Sequence, residues 1–161
     1  MFLIEYLKNL PNELITLILS MVPITELRGS IPIGVGLLKM PVWSAFLFSV
    51  LGSFIIAFIL VCFLDSVSTI LMSKTKWGNK FFTWLFDRTR KRFEKKYHKY
   101  GNIALMLFVA IPLPVTGAWT GAAAAFLFGI PRKKAILYIT LGSIIAGVIV
   151  SLITIGGVSL F

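Results

Sequence analysis

From Val42 to Leu64 the chain runs without a charged residue, interrupted only by Gly52-Ser53, and stops at Asp65. A helix needs roughly 20 apolar residues to cross a hydrocarbon core about 30 Å thick, so this run predicts a spanning helix. A second run, 135–160, has Gly142-Ser143 near its middle and predicts another. The remaining apolar stretches are about half as long. The composition agrees: 58% of the 161 residues are hydrophobic, 14% are charged and mean hydropathy is +0.93, outside the range of soluble globular domains. A single integral membrane domain, all-α, is expected over residues 1–161.

The short stretches come in pairs around polar, proline-flanked breaks. Asn12 to Val22 ends at Pro23; then come Thr25-Glu26-Leu27-Arg28-Gly29-Ser30-Ile31-Pro32, a short piece Ile33 to Leu38, and Lys39-Met40-Pro41. Asn102 to Ile111 is followed by Pro112-Leu113-Pro114-Val115-Thr116-Gly117-Ala118-Trp119-Thr120-Gly121, a small-residue helix Ala122 to Ile130, and Pro131-Arg132-Lys133-Lys134. Two half-length helices around a polar turn predict a re-entrant hairpin, with backbone irregularity buried in protein or lining a cavity. The unit is a hairpin plus a spanning helix: repeat 1 covers 11–72 (hairpin 12–40, helix 42–64) and repeat 2 covers 101–161 (hairpin 102–130, helix 135–160).

A shift of 90 residues superposes Leu37, Pro41, Ala45, Leu47, Leu51, Gly52, Ser53, Ile55 and Ile59 on identical residues Leu127, Pro131, Ala135, Leu137, Leu141, Gly142, Ser143, Ile145 and Ile149. Upstream the same order of elements recurs without clean alignment. Ala45, Ser49, Ser53 and Ala57, at four-residue spacing, make a small-residue stripe against which another helix can pack closely, or which can line a substrate path.

Charge gives the topology. The formal net charge is +10, yet ten of the 16 Lys and Arg lie between Lys74 and Lys99 and three more are Arg132, Lys133 and Lys134. Residues 73–100 read as a basic amphipathic helix on anionic cytoplasmic lipid, with His98 a solvated bystander, and not as a nucleic-acid surface. Lys and Arg clusters stay inside, so a returning second hairpin keeps both basic clusters cytoplasmic and leaves both termini outside. The repeats then have opposite orientations, with the hairpin tips meeting near the midplane. Residues 1–10 read as an interfacial helix, not a cleaved signal peptide. Cys62 is the sole cysteine, so neither a disulfide nor a thiolate metal site is available, and no cofactor is expected.

Glu26 and Arg28 are the candidate functional centre, because an acid and a base inside hydrocarbon are costly and rarely idle. Burial favours the neutral form of Glu26, whereas the neighbouring Arg28 favours its charged form. The expected substrate- or ion-binding set is Glu26, Arg28, Gly29, Ser30 and Pro32 from the first hairpin, with Pro112, Pro114, Thr116, Gly117, Trp119 and Thr120 from the second. Thr116, Trp119 and Thr120 would supply hydroxyls and an aromatic wall.

The two motifs together, Glu26-Leu27-Arg28-Gly29-Ser30-Ile31-Pro32 and Pro112 to Gly121, resemble the small multidrug export family of bacterial and archaeal membrane proteins over nearly the whole chain. That family looks like a relative of the DedA and VTT-domain proteins, which share the inverted hairpin-plus-helix design. The resemblance implies translocation of undecaprenyl phosphate or phospholipids, with proton coupling. Glu26 and Arg28 match the acidic and basic positions of such a first hairpin; Thr116 and Trp119 stand where DedA-type proteins carry an arginine.

The reading is a proton- or ion-coupled transporter in the cytoplasmic membrane that moves an amphipathic or lipid-like substrate. The alternatives are an exporter of lipophilic cations and a scaffold without transport. An enzyme is not expected: the chain offers one intramembrane acid, Glu26, no hairpin histidine, and Ser30 as the nearby serine. Two spanning helices enclose little, so a homodimer joined along the small-residue stripes is expected.

Overall fold

A computed structural model describes residues 10–74, 101–112 and 116–158. The interfacial helix of residues 1–10 and most of the basic segment 73–100 lie outside the described residues. Among the described residues six helices follow in order: α1 Asn12–Met21, α2 Glu26–Gly36, α3 Val42–Lys74, α4 Gly101–Ala110, α5 Ala118–Leu127 and α6 Arg132–Val158. At 1.5 Å per residue the short helices α1, α2 and α5 are about 15–17 Å long, half of what a bilayer requires. Two helices, over Val42–Leu64 and Arg132–Gly157, are long and apolar enough to cross. Only 28% and 39% of their most apolar windows are buried. Their greasy surface therefore faces outward, as in a membrane protein and unlike the core helix of a soluble one.

α1 and α2 form a closed helical hairpin. The Asn12 side chain donates to the Leu38 carbonyl at 3.1 Å, and the Thr16 hydroxyl lies 3.2 Å from Met40 Sδ, so the chain returns to where it entered. The turn is narrower than the sequence suggests. Only residues 22–25 are non-helical; Arg28, Gly29, Ser30, Ile31 and Pro32, expected in the polar break, belong to α2, which starts at Glu26 and not at Ile33. Packing overrides propensity here. Leu27, Ser30, Ile31 and Gly34 form one buried stripe, while Pro32 sits on the exposed face, so its ring stays out of the packed seam although its missing N–H removes the intrahelical bond to the Arg28 carbonyl. A Cβ on Gly34 would come within 3.0 Å of that of Ala45, so its absence lets α2 lie close on α3. The Ser30 and Ser49 hydroxyls bond at 2.6 Å inside that seam.

The long helices run antiparallel. Phe46, near the start of α3, packs on Gly147 in the second half of α6, and Val42 and Trp43 share a groove with Val148, Ser151 and Leu152. The same positions are buried in both: Ala45, Ser49, Gly52, Ser53, Ile56 and Ala57 in α3, and Ala135, Ile139, Gly142, Ser143, Ala146 and Gly147 in α6, each 90 residues on. Gly52 accepts the Leu17 carbonyl of α1 where a Cβ would stand 2.5 Å away; Gly142 accepts the Met106 carbonyl of α4 at 2.6 Å. The small-residue stripe of Ala45, Ser49, Ser53 and Ala57 is thus buried within one chain. A second copy cannot use it as its seam, contrary to the expectation from sequence.

The largest buried cluster gathers Ala57, Val61, Leu105, Val109, Ala122, Ile139 and their neighbours from α3, α4, α5 and α6. A smaller one, Leu27, Ile31, Ala146 and Val150, joins α2 to α6. Between these clusters lie the hairpin tips.

Candidate functional site

The second hairpin halves correspond at an offset of 91 residues: Leu27, Ser30, Ile31 and Gly34 are buried in α2, and Ala118, Gly121, Ala122 and Ala125 in α5. At this offset Thr25 pairs with Thr116, Glu26 with Gly117 and Arg28 with Trp119. Across the tips Glu26 meets Gly117 and Arg28 meets Thr116.

Arg28 reaches from α2 to the second hairpin, where its Nη2 donates to the Thr116 hydroxyl at 2.7 Å and to the Ile111 carbonyl at 3.3 Å. Thr116 also donates to the Ile111 carbonyl, at 2.8 Å. Ile111 directly follows α4, so the guanidinium neutralises a helix C-terminus whose carbonyls have no intrahelical partner. Trp119 makes the counterpart contact: its indole N–H donates at 2.9 Å to the carbonyl of Met21, the last residue of α1. Each hairpin therefore caps the first helix of the other. Thr25 bonds the Leu19 carbonyl within its own turn, as Thr116 does to Ile111.

Glu26 has φ 43°, in the left-handed region, which costs a non-glycine residue about 1–3 kcal/mol. Its carboxylate lies against Gly117 and faces the backbone N–H of Trp119 in the first turn of α5. A side chain at position 117 would occupy the carboxylate's place. Negative charge at a helix N-terminus and positive charge at a C-terminus are each stabilising. Glu26 and Arg28, expected as an ion pair, instead diverge, and each meets an end of a helix in the other hairpin.

The remaining sequence candidates take structural places. Ser30 is consumed by Ser49. Gly29 lets α2 pass the Thr25 side chain, to which a Cβ would stand at 3.1 Å. The Thr120 hydroxyl accepts the Gly117 N–H at 3.0 Å, capping α5. Pro32 is exposed on α2, Pro112 is half-buried after α4, and Pro114 lies outside the described residues. The structure adds two residues to the expected binding set, Ser53 of α3, read from sequence as part of a packing or path-lining stripe, and Ser143 of α6. They line a cavity of about 10 Å³ together with Glu26, Arg28, Gly117 and apolar neighbours. Their signal was present in the sequence: each follows a glycine at the same place in the repeat. Among the described residues no group of His, Cys, Asp and Glu could hold a metal ion.

Compared with known proteins, the chain matches, over residues 26–149, the family described as "Putative small multi-drug export protein". The match begins at Glu26 and includes both hairpin tips and most of α6. No curated protein and no solved structure matches the chain.

Proposed function

The chain belongs to the small multi-drug export protein family, and from that membership and the charges at the hairpin tips we propose that it is a proton-coupled exporter of lipophilic cations. The observation that carries the reading is that Arg28 is already committed to protein oxygens: its Nη2 donates to Thr116 and the Ile111 carbonyl, while both it and Glu26 border the small cavity between the hairpins. A guanidinium so held is less available to a phosphate, and the acid beside it can exchange a proton for a positively charged ligand. Glu26 would then carry either the proton or the substrate, so that binding one releases the other.

The architecture this requires is an inverted repeat of two re-entrant hairpins, each followed by a spanning helix. The half-length helices α1, α2 and α5, the matched burial of α3 and α6, their antiparallel packing and the reciprocal caps support it. An apolar groove of about 420 Å³ beside Trp43, Phe46 and Leu152 is large enough for the greasy part of such a ligand. The same architecture would serve a DedA-like carrier of lipid phosphates, the second reading, and Arg28 would be its anion holder. A homodimer remains part of the proposal, with its seam outside the buried stripe.

Transport into proteoliposomes under an imposed pH gradient tests both readings, with a lipophilic cation in one arm and a short-chain polyprenyl phosphate in the other. Cation movement that disappears in Glu26→Gln supports the exporter. Movement of the phosphate alone, lost in Arg28→Gln, replaces it with the carrier. If neither moves and Glu26→Gln cells behave as wild type, the hairpins are a scaffold.

A further inference from the structure

Ser53 and Ser143 occupy the same place in the two long helices and are 2% and 4% exposed, yet neither hydroxyl has a hydrogen-bond partner among the described residues. Serine in a helix usually bonds the carbonyl one turn back. Thr140 and Thr154 of α6 do so at 2.7 and 2.8 Å. Ser53 and Ser143 instead line the cavity that also receives Glu26. Its volume, about 10 Å³, is at the size of one water, which needs two to four polar partners. Glu26, Ser53 and Ser143 provide three.

We propose that Ser53, Ser143 and Glu26 hold a single water that loads the proton onto Glu26. A metal cation is disfavoured because Arg28 lines the same cavity and three oxygen-bearing side chains are too few for a hard cation. The charged or titratable groups bordering it from α2 are Glu26 and Arg28; α3, α4, α5 with its N-cap, and α6 contribute Ser53, Val109, Gly117, Ala118, Ser143 and Ala146, none of them ionisable. A proton arriving on this water forms hydronium; one of its O–H bonds breaks as the Glu26 O–H bond forms, and neutral water stays behind. One site, built from both repeats, then senses their relative position. The inference deepens the exporter reading and rests on it for its role in coupling.

The test uses the full chain in lipid nanodiscs and infrared spectroscopy of the protonated carboxyl stretch as pH is varied, with Glu26→Gln assigning the band. In Ser53→Ala/Ser143→Ala the carboxylate loses its water and hydroxyl donors, so Glu26 should hold its proton about tenfold more tightly. Ser49→Ala, which breaks a buried serine pair away from the cavity, should leave the titration in place, and melting curves identify any variant that fails to fold. Single variants, Ser53→Ala and Ser143→Ala, should each give a smaller shift. A double variant that titrates as wild type, a band insensitive to Glu26→Gln, or a titration displaced by sodium would overturn the proposal. The tenfold shift without cation transport in matched vesicles would keep the proton site and sink the exporter.

Discussion

Arg28 and Thr116, 88 residues apart in the chain, meet at 2.7 Å, and the residue that corresponds to Arg28 in the second hairpin, Trp119, reaches back to the Met21 carbonyl. The two contacts exchange caps between the hairpins. Helix ends inside a membrane protein have no bulk water to satisfy them, so these groups must come from the protein itself. The exchange makes each hairpin a condition for the order of the other.

Arg28→Gln and Trp119→Phe should therefore each lower stability by about 1 kcal/mol, the net worth of such hydrogen bonds. Arg28→Lys should restore part of the loss, since both bonds are made by the single Nη2 and an ammonium carries donors enough for Thr116 and Ile111 together. Unfolding of the purified variants in mixed micelles measures the loss. Values within a few tenths of a kcal/mol of wild type would show the caps to be incidental.

Gly52→Ala and Gly142→Ala should destabilise together and by similar amounts, about 1–3 kcal/mol, because each added methyl meets a carbonyl oxygen of a packed helix at 2.5 or 2.6 Å. Gly36→Ala, with nothing within 4 Å of its Cβ, should be neutral or slightly stabilising. The same unfolding assay compares all three. Unequal losses at Gly52 and Gly142 would argue that the two long helices are not equivalent.

Gly117→Ala should abolish transport while leaving Glu26 in the sequence, because the new methyl takes the space of its carboxylate. Its effect should match that of Glu26→Gln in a proteoliposome assay and should not be additive with it. Full activity in Gly117→Ala would remove the carboxylate's position from the mechanism.

Glu26→Gln should abolish cation export at every pH gradient, whereas Arg28→Gln should slow export and leave its dependence on the gradient in place. The reverse pattern, with transport lost at Arg28 alone, would identify an anionic substrate. Initial rates measured at several imposed gradients separate the two.

Much of this was legible in the residues. The two uninterrupted apolar runs dictate two long helices, prolines and polar residues dictate where the hairpins turn, and the small-residue stripe foretells close packing, because each follows from local length, backbone geometry or side-chain size. The repeat was visible over α3 and α6 at one offset. It was lost upstream because the connection after the hairpin is one residue shorter in repeat 2, which moves α5 to an offset of 91. Composition also differs there: Glu26 and Arg28 correspond to Gly117 and Trp119, so the equivalence lies in burial and bonding, not in identity.

The sequence by itself determined that the chain is helical and apolar, that Glu26 and Arg28 stand at a hairpin tip, and that small residues face a packed helix. Tertiary structure decided what those residues touch. A charge two residues from its opposite looks like an ion pair in sequence, but a helix end supplies partial charge as well, and the far hairpin brings such ends within reach. Pro32 likewise reads as a breaker until the buried stripe of α2 holds the helix on α3 and leaves the proline outside. Ser53 and Ser143 read as packing residues; only the meeting of both long helices beside Glu26 turns their hydroxyls toward one cavity. Local rules act over a turn of helix, and these contacts span most of the chain.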